Sequence, residues 1–185
     1  MRLNFAGRCL MAAPALLMLG ACNLSGDDAG QAEQPSDAQI LERAGQLEQP
    51  VPGLYRSITR MTAYELPGAP PEEARLARER MAAVAPQESQ HCLSAEEAKR
   101  GFGAMLQTVQ GGECRFDSFT TTGAKMSAVM RCAAADGGSS VITMDGVGRS
   151  TESSMELVIE QQGLSIPGGT ASIRMTVENR RVGDC

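Results

Sequence analysis

Six cysteines, a single histidine and eleven methionines carry most of the chemistry that this 185-residue chain offers. The cysteines stand at 9, 22, 92, 114, 132 and 185 with no C-x-x-C spacing, which argues against a zinc ribbon or a thioredoxin-type redox centre. His91 lies beside Cys92 and has no second histidine to complete a metal site or a Ser–His–acid arrangement, so it reads as a surface loop residue. Met126, Met130, Met144, Met155 and Met175 offer soft thioethers of the kind that select Cu(I). On strands they fall on one inner face, where methionine fills irregular gaps, and they read as core or ligand-facing residues. G-x-S-x-G is absent, and Gly101-Phe102-Gly103 follows no strand, so it is no nucleotide fingerprint. The acid pairs Glu72-Glu73 and Glu96-Glu97 stand at expected helix starts, where they suit the helix dipole. No catalytic residue, metal ligand or cofactor is assigned, and a non-enzymatic protein is expected.

Where the chain resides decides what the cysteines do. Arg2 and Arg8 form a positive n-region, followed by a thirteen-residue, largely apolar run from Cys9 to Ala21. That run is too short to span a hydrocarbon core, which takes roughly 20 helical residues, and it has the size of a signal-peptide h-region. It ends Leu19-Gly20-Ala21-Cys22, which resembles a bacterial lipobox. The resemblance implies cleavage before Cys22 and a diacylglycerol on its sulfur, with residues 1–21 as a lipoprotein signal peptide. Acyl chains contribute about 0.8 kcal/mol per buried CH₂, so several hold a domain durably at a bilayer. Asn23 stands where inner-membrane retention usually calls for Asp, so the expected address is the cell envelope, at the outer membrane facing the periplasm.

Loss of Arg2 and Arg8 leaves 15 basic against 22 acidic residues, a net charge of −7. Residues 22–49 are polar, acidic and free of aromatics, and read as the lipidated cysteine plus a flexible tether, with a short helix from Asp37 to Leu47 as an alternative. Residues 50–185 carry 14 basic and 16 acidic side chains without a basic stripe, which argues against nucleic acid as a partner. This length suffices for one domain with its own core. The domain has no Trp and three Phe, so methionine and aliphatic side chains must supply much of the packing.

With Cys9 removed and Cys22 lipidated, four cysteines remain in an exported domain, an even count that reads as disulfides with three possible connectivities. Thr122-Gly123-Ala124 reads as a three-residue hairpin loop. It opposes Ser118 to Ala128, Phe116 to Met130 and Cys114 to Cys132. Opposed Cβ atoms lie about 4.5–5.5 Å apart, nearly within disulfide reach. Cys114–Cys132 is therefore expected, leaving Cys92–Cys185.

The elements that position these residues follow the same hairpin logic. A turn at Asp136-Gly137-Gly138 pairs Cys132 with Ile142 and Met130 with Met144, and a turn near Ser150-Thr151 opposes Met144 to Leu157 and Ile142 to Ile159. Met155, Leu157 and Ile159 alternate with Glu156 and Glu160, and Ile173, Met175 and Val177 alternate with Arg174, Thr176 and Glu178. Leu54 to Leu66 is an earlier, less clean strand. One helix starts at Pro71 with Ala74, Ala77, Met81 and Val84 at helical spacing; a second follows the Ser94/Glu97 capping box, with Ala98, Phe102 and Met105 on one side. The expected class is α+β: a curved antiparallel β-meander of about six strands, one face covered by helices, with two helices between the first and second strands. Partial barrel closure is left open.

The flanks of the domain are distinctive: Pro52-Gly53-Leu54-Tyr55 at its start, His91-Cys92-Leu93-Ser94 in its middle, and Arg180-Arg181-Val182-Gly183-Asp184-Cys185 at its end. With four cysteines, this resembles the domain of unknown function 3617 family of small exported proteobacterial proteins over residues 52–185. Tyr55, Arg56 and Asn179 depart from that pattern where Trp, an acid and Gly are usual. The resemblance implies fold and export, and no catalytic residues. The expected function is a cell-envelope binding module, its partners the membrane through the N-terminal lipid and an envelope protein, as with lysozyme inhibitors. The alternative is a lipocalin-like carrier of an apolar small molecule. A carrier needs an unfilled apolar cavity of several hundred Å³; a module needs a filled core and an exposed loop, such as 163–169.

Overall fold

The computed structural model describes residues 34–102, 113–134 and 137–185. The signal segment, Cys22, residues 22–33 of the tether, Gly103, Met105 and Asp136 lie outside the described residues. The order is α1 (Asp37–Ala44), β1 (Gly53–Glu65), α2 (Pro71–Ala82), β2 (Gln87–Leu93), α3 (Ala95–Arg100), β3 (Cys114–Thr122), β4 (Lys125–Ala133), β5 (Ser139–Gly148), β6 (Glu152–Gln162) and β7 (Thr170–Gly183). The strands form one antiparallel seven-stranded sheet in the order β2-β1-β7-β6-β5-β4-β3, open at β2 and β3. The α+β class and the meander stand as expected, and the barrel does not close. Among the described residues no helix is long and apolar enough to cross a membrane.

The seventh strand, β2, lies between the two expected helices, so α2 joins β1 to β2 and α3 joins β2 to β3. Its sequence QESQHCL is exposed on both faces and carries no period-2 apolar pattern. Pairing with β1, the Arg56–Glu88 ion pair at 2.6 Å and the Cys92–Cys185 disulfide hold it in place. His91 is thus on a strand, stacked on Tyr55 with ring centroids 5.9 Å apart, and not on a loop.

At its β3 end the inner face packs against α1, the short helix that Asp37 to Leu47 offered as the alternative to a tether. Ser36 and Gln39 form a capping box, Ser36 Oγ accepting from the Gln39 N–H while the Gln39 side chain accepts from the Ser36 N–H. Ile40, Ala44 and Leu47, spaced four and three apart, are buried in the main core with Phe116, Phe119 and Ala128. Arg43 donates to the Phe119 carbonyl at 2.6 Å, and Thr121 donates to Gln46 at 3.0 Å. These bonds tie α1 and the turn after it to β3, so the segment also shields this sheet edge. By contrast α2, expected to cover the sheet, has no buried residue.

Two registers differ in detail from expectation. The β3–β4 loop has two residues, Gly123 and Ala124, and Gly123 takes φ 59, which suits a primed hairpin turn. This shifts pairing by one residue, so Phe119 opposes Ala128, until a bulge between Phe116 and Ser118 restores Phe116–Met130 and Cys114–Cys132. Because of the bulge, Phe116 and Phe119 both point inward and pack edge to face, centroids 5.8 Å apart. The extra residue, Asp117, pairs with Arg131 and accepts from Gln34. In β4–β5, Met130 opposes Ile142 and Cys132 opposes Ser140, a slip of two that leaves every side chain on its expected face. The β5–β6 pairs Met144–Leu157 and Ile142–Ile159 are as expected.

Candidate functional site

Alternation along β3 to β7 directs Phe116, Phe119, Met126, Met130, Met144, Leu157 and Val177 to one concave face. Between that face, Leu47 after α1 and Phe102 after α3 lies a cavity of about 550 Å³. Phe102 reaches it because β5 has glycine at 148: a Cβ there would lie 2.9 Å from the ring. Cys114 and Cys132 line the cavity and are bonded to each other, so a disulfide forms part of its wall. The second bond, Cys92–Cys185, ties edge strand β2 to the chain end with Cα atoms 5.7 Å apart.

Met126, Met130 and Met144 are buried, and Met155 packs against them; all four line the cavity. Met175 opposes Leu157 in the β6–β7 register, but it belongs neither to the buried cluster nor to the lining. Leu47, Phe102 and the pair Ser153 and Asn179 line the cavity without having been assigned to a site from sequence. A Ser-x-x-Gln capping box before Ile40, Ala44 and Leu47 was the available signal for the first. The inward position of residues 153 and 179 on alternating strands was the signal for the pair.

The described lining holds no free titratable side chain, since its two cysteines are oxidised. The described lining therefore offers apolar contact and a little hydrogen bonding, with no group for proton transfer among its residues. Among the described residues no cluster of three His, Cys, Asp or Glu side chains could hold a metal ion. A second hollow, about 520 Å³, lies over polar side chains such as Thr120, Ser127, Asp145, Glu156 and Thr176. Its open, hydroxyl-rich walls suit water, whereas apolar walls leave solvent poorly held.

Beyond Asn179 the terminal motifs interlock. Arg181 Nε donates to the Pro52 carbonyl at 2.9 Å and its other end pairs with Asp184. Gly53, at φ 147, leaves room that a side chain would take from the Arg181 guanidinium. Tyr55 is buried and its hydroxyl lies 2.8 Å from the Val51 carbonyl and 3.0 Å from that of Ser150. Burial holds its phenol above the ordinary 10.0, against the opposing pull of the Arg181 charge. The start and end of the domain are thus one structural unit, which accounts physically for both motifs.

Neither a curated protein nor a solved structure matches the chain. The family model DUF3617, a protein of unknown function, matches residues 50–185, which span all seven strands, both disulfides and all of the described cavity lining except Leu47. By that match the chain belongs to the DUF3617 family.

Proposed function

We propose that this protein is a non-enzymatic cell-envelope lipoprotein, anchored through Cys22, whose domain carries an apolar ligand on its concave face. The carrying observation is the cavity of about 550 Å³ walled by methionine, phenylalanine and aliphatic side chains. Its volume lies within the ~300–1,000 Å³ of small-molecule sites. A filled core, which a pure protein-binding module needs, is at odds with that volume. Methionine walls adapt to ligands of differing shape. The test is titration with 1,6-diphenylhexatriene, a hydrocarbon that fluoresces once it leaves water. Saturable binding by the wild type, abolished in Leu157→Trp, supports the carrier; a flat titration of folded wild-type protein removes it.

A second reading, docking of an envelope protein, draws on one observation. Leu164 is 100% exposed in the loop before β7. That loop is fixed by the Gly163 N–H donating to Gly169 O at 3.1 Å, and the backbones of Gly68 and Gly168 approach too closely for a Cβ on either. A rigidly presented leucine is the form an interface anchor takes. Site-specific photo-crosslinking from position 164 in cells tests it: one discrete adduct supports docking, and no adduct removes it.

A further inference from the structure

The cavity is not uniformly apolar. Ser153 and Asn179 oppose each other across β6 and β7, and Asn179 Nδ2 donates to Ser153 Oγ at 3.1 Å. They are the inward-facing polar side chains of the described lining, since Ser154 alternates to the outer face. Gly148 opposes Ser153, so the pair and the Phe102 ring together form one end of the cavity. Cys114–Cys132 lies at the other end, with Leu157, Met144 and Met130 between.

The mutual bond uses one amide hydrogen and one hydroxyl lone pair. The Ser153 O–H, the Asn179 carbonyl and the second amide hydrogen remain available to a ligand. All three are neutral, and among the described lining residues no cationic side chain offsets a buried anion. A carboxylate there loses its hydration without a counter-charge, whereas an ester, amide or hydroxyl needs only hydrogen bonds.

Resting on the carrier reading, we infer that the occupant is a single-chain amphiphile with an uncharged, hydrogen-bonding head docked at Ser153–Asn179 and its chain laid along the methionine wall. Asn179 is then a specificity-determining residue of this chain.

The experiment is displacement of bound 1,6-diphenylhexatriene by 1-monolauroylglycerol and, separately, by laurate. The wild type is expected to release the dye at about tenfold less monoglyceride than laurate. In Ser153→Ala/Asn179→Ala the monoglyceride requirement rises about tenfold, the size expected for loss of one or two net hydrogen bonds, while dye affinity stays within about twofold. Retained dye binding certifies the fold of the variant; if it is lost, Ser153→Ala alone is read instead, with a smaller rise expected. Equal displacement by laurate, or unchanged displacement in a dye-binding variant, overturns this inference and leaves the carrier standing. Absence of dye binding in the wild type overturns both.

Discussion

Cys114 and Cys132 are direct neighbours across β3 and β4, Cα atoms 4.0 Å apart, and their disulfide is also cavity wall. They occupy a non-hydrogen-bonded pair, the more closely spaced kind in an antiparallel ladder; the adjacent Ala133 N–H donates to the Glu113 carbonyl. The bond spans 18 residues of sequence and the Cys92–Cys185 bond 93. On the chain-entropy account they contribute about 3 and about 4.7 kcal/mol. Urea unfolding of Cys114→Ala/Cys132→Ala and of Cys92→Ala/Cys185→Ala is expected to show the larger loss in the second. Unchanged midpoints in both variants would contradict a stapled sheet.

Helix α1 belongs to the core. Ile40 is 1% exposed, so Ile40→Ala is expected to cost about 2–5 kcal/mol, measured by chemical denaturation. A flexible tether predicts less than about 0.5 kcal/mol for the same change. Leu47, which follows the helix and shares its buried cluster with Ile40, lines the cavity, so Ile40→Ala also weakens 1,6-diphenylhexatriene binding.

Local patterning made much of this fold legible. Met155, Leu157 and Ile159 alternate so regularly with acids that face and register of β6 follow from sequence, and the Ser94/Glu97 box marks α3. Both disulfides followed from opposing Cys114 to Cys132. That reasoning reached the right pair through a wrong loop length: a two-residue turn and a bulge at Asp117 cancel. Phe119 carried the clue, since without a bulge it cannot share a face with Phe116. One element was illegible and one was legible only in part. β2 has no apolar alternation because both its faces are exposed. α1 stood only as the alternative to a tether, since Ile40, Ala44 and Leu47 sit within an acidic, aromatic-free stretch and only periodicity marks them. The cavity needs all of these together, including a volume that no pattern encodes.

Tyr55 predicts an alkaline limit. Its folded pKa is raised above 10.0, so its contribution is fully present below pH 10 and is lost as pH rises through the folded value. Tyr55→Phe removes a donor from two carbonyls at a cost of about 1 kcal/mol near neutrality and flattens the decline above pH 10. Absorbance titration of the phenolate alongside thermal melts checks both. A Tyr55 phenol ionising at or below 10 would contradict the burial argument.

Glu97 predicts the acid side. Bonds from the Ser94 N–H and hydroxyl hold its carboxyl below 4.5. Its contribution is therefore present above pH 4.5 and fades as pH falls through the lower folded value. The hydrogen-exchange protection of the Ala98 N–H, corrected for the intrinsic pH dependence, is expected to fall below that point in the wild type and to be less pH-sensitive in Glu97→Gln, which still caps but does not titrate. Identical profiles would show that the cap is not ionic.

Lipidation is tested at Cys22. Palmitate labelling of cells is expected to mark the wild type and not Cys22→Ser, and the variant is expected to leave the membrane fraction. Labelled, membrane-bound Cys22→Ser would contradict the proposed anchor.

The most direct measurement is native mass spectrometry of membrane-extracted protein beside Leu157→Trp. The account predicts a discrete mass increment on the wild type beyond the covalent lipid, lost on organic extraction and absent when tryptophan fills the cavity. A wild-type mass with no extractable increment, matching that of the filled variant after allowance for the substitution, would contradict it.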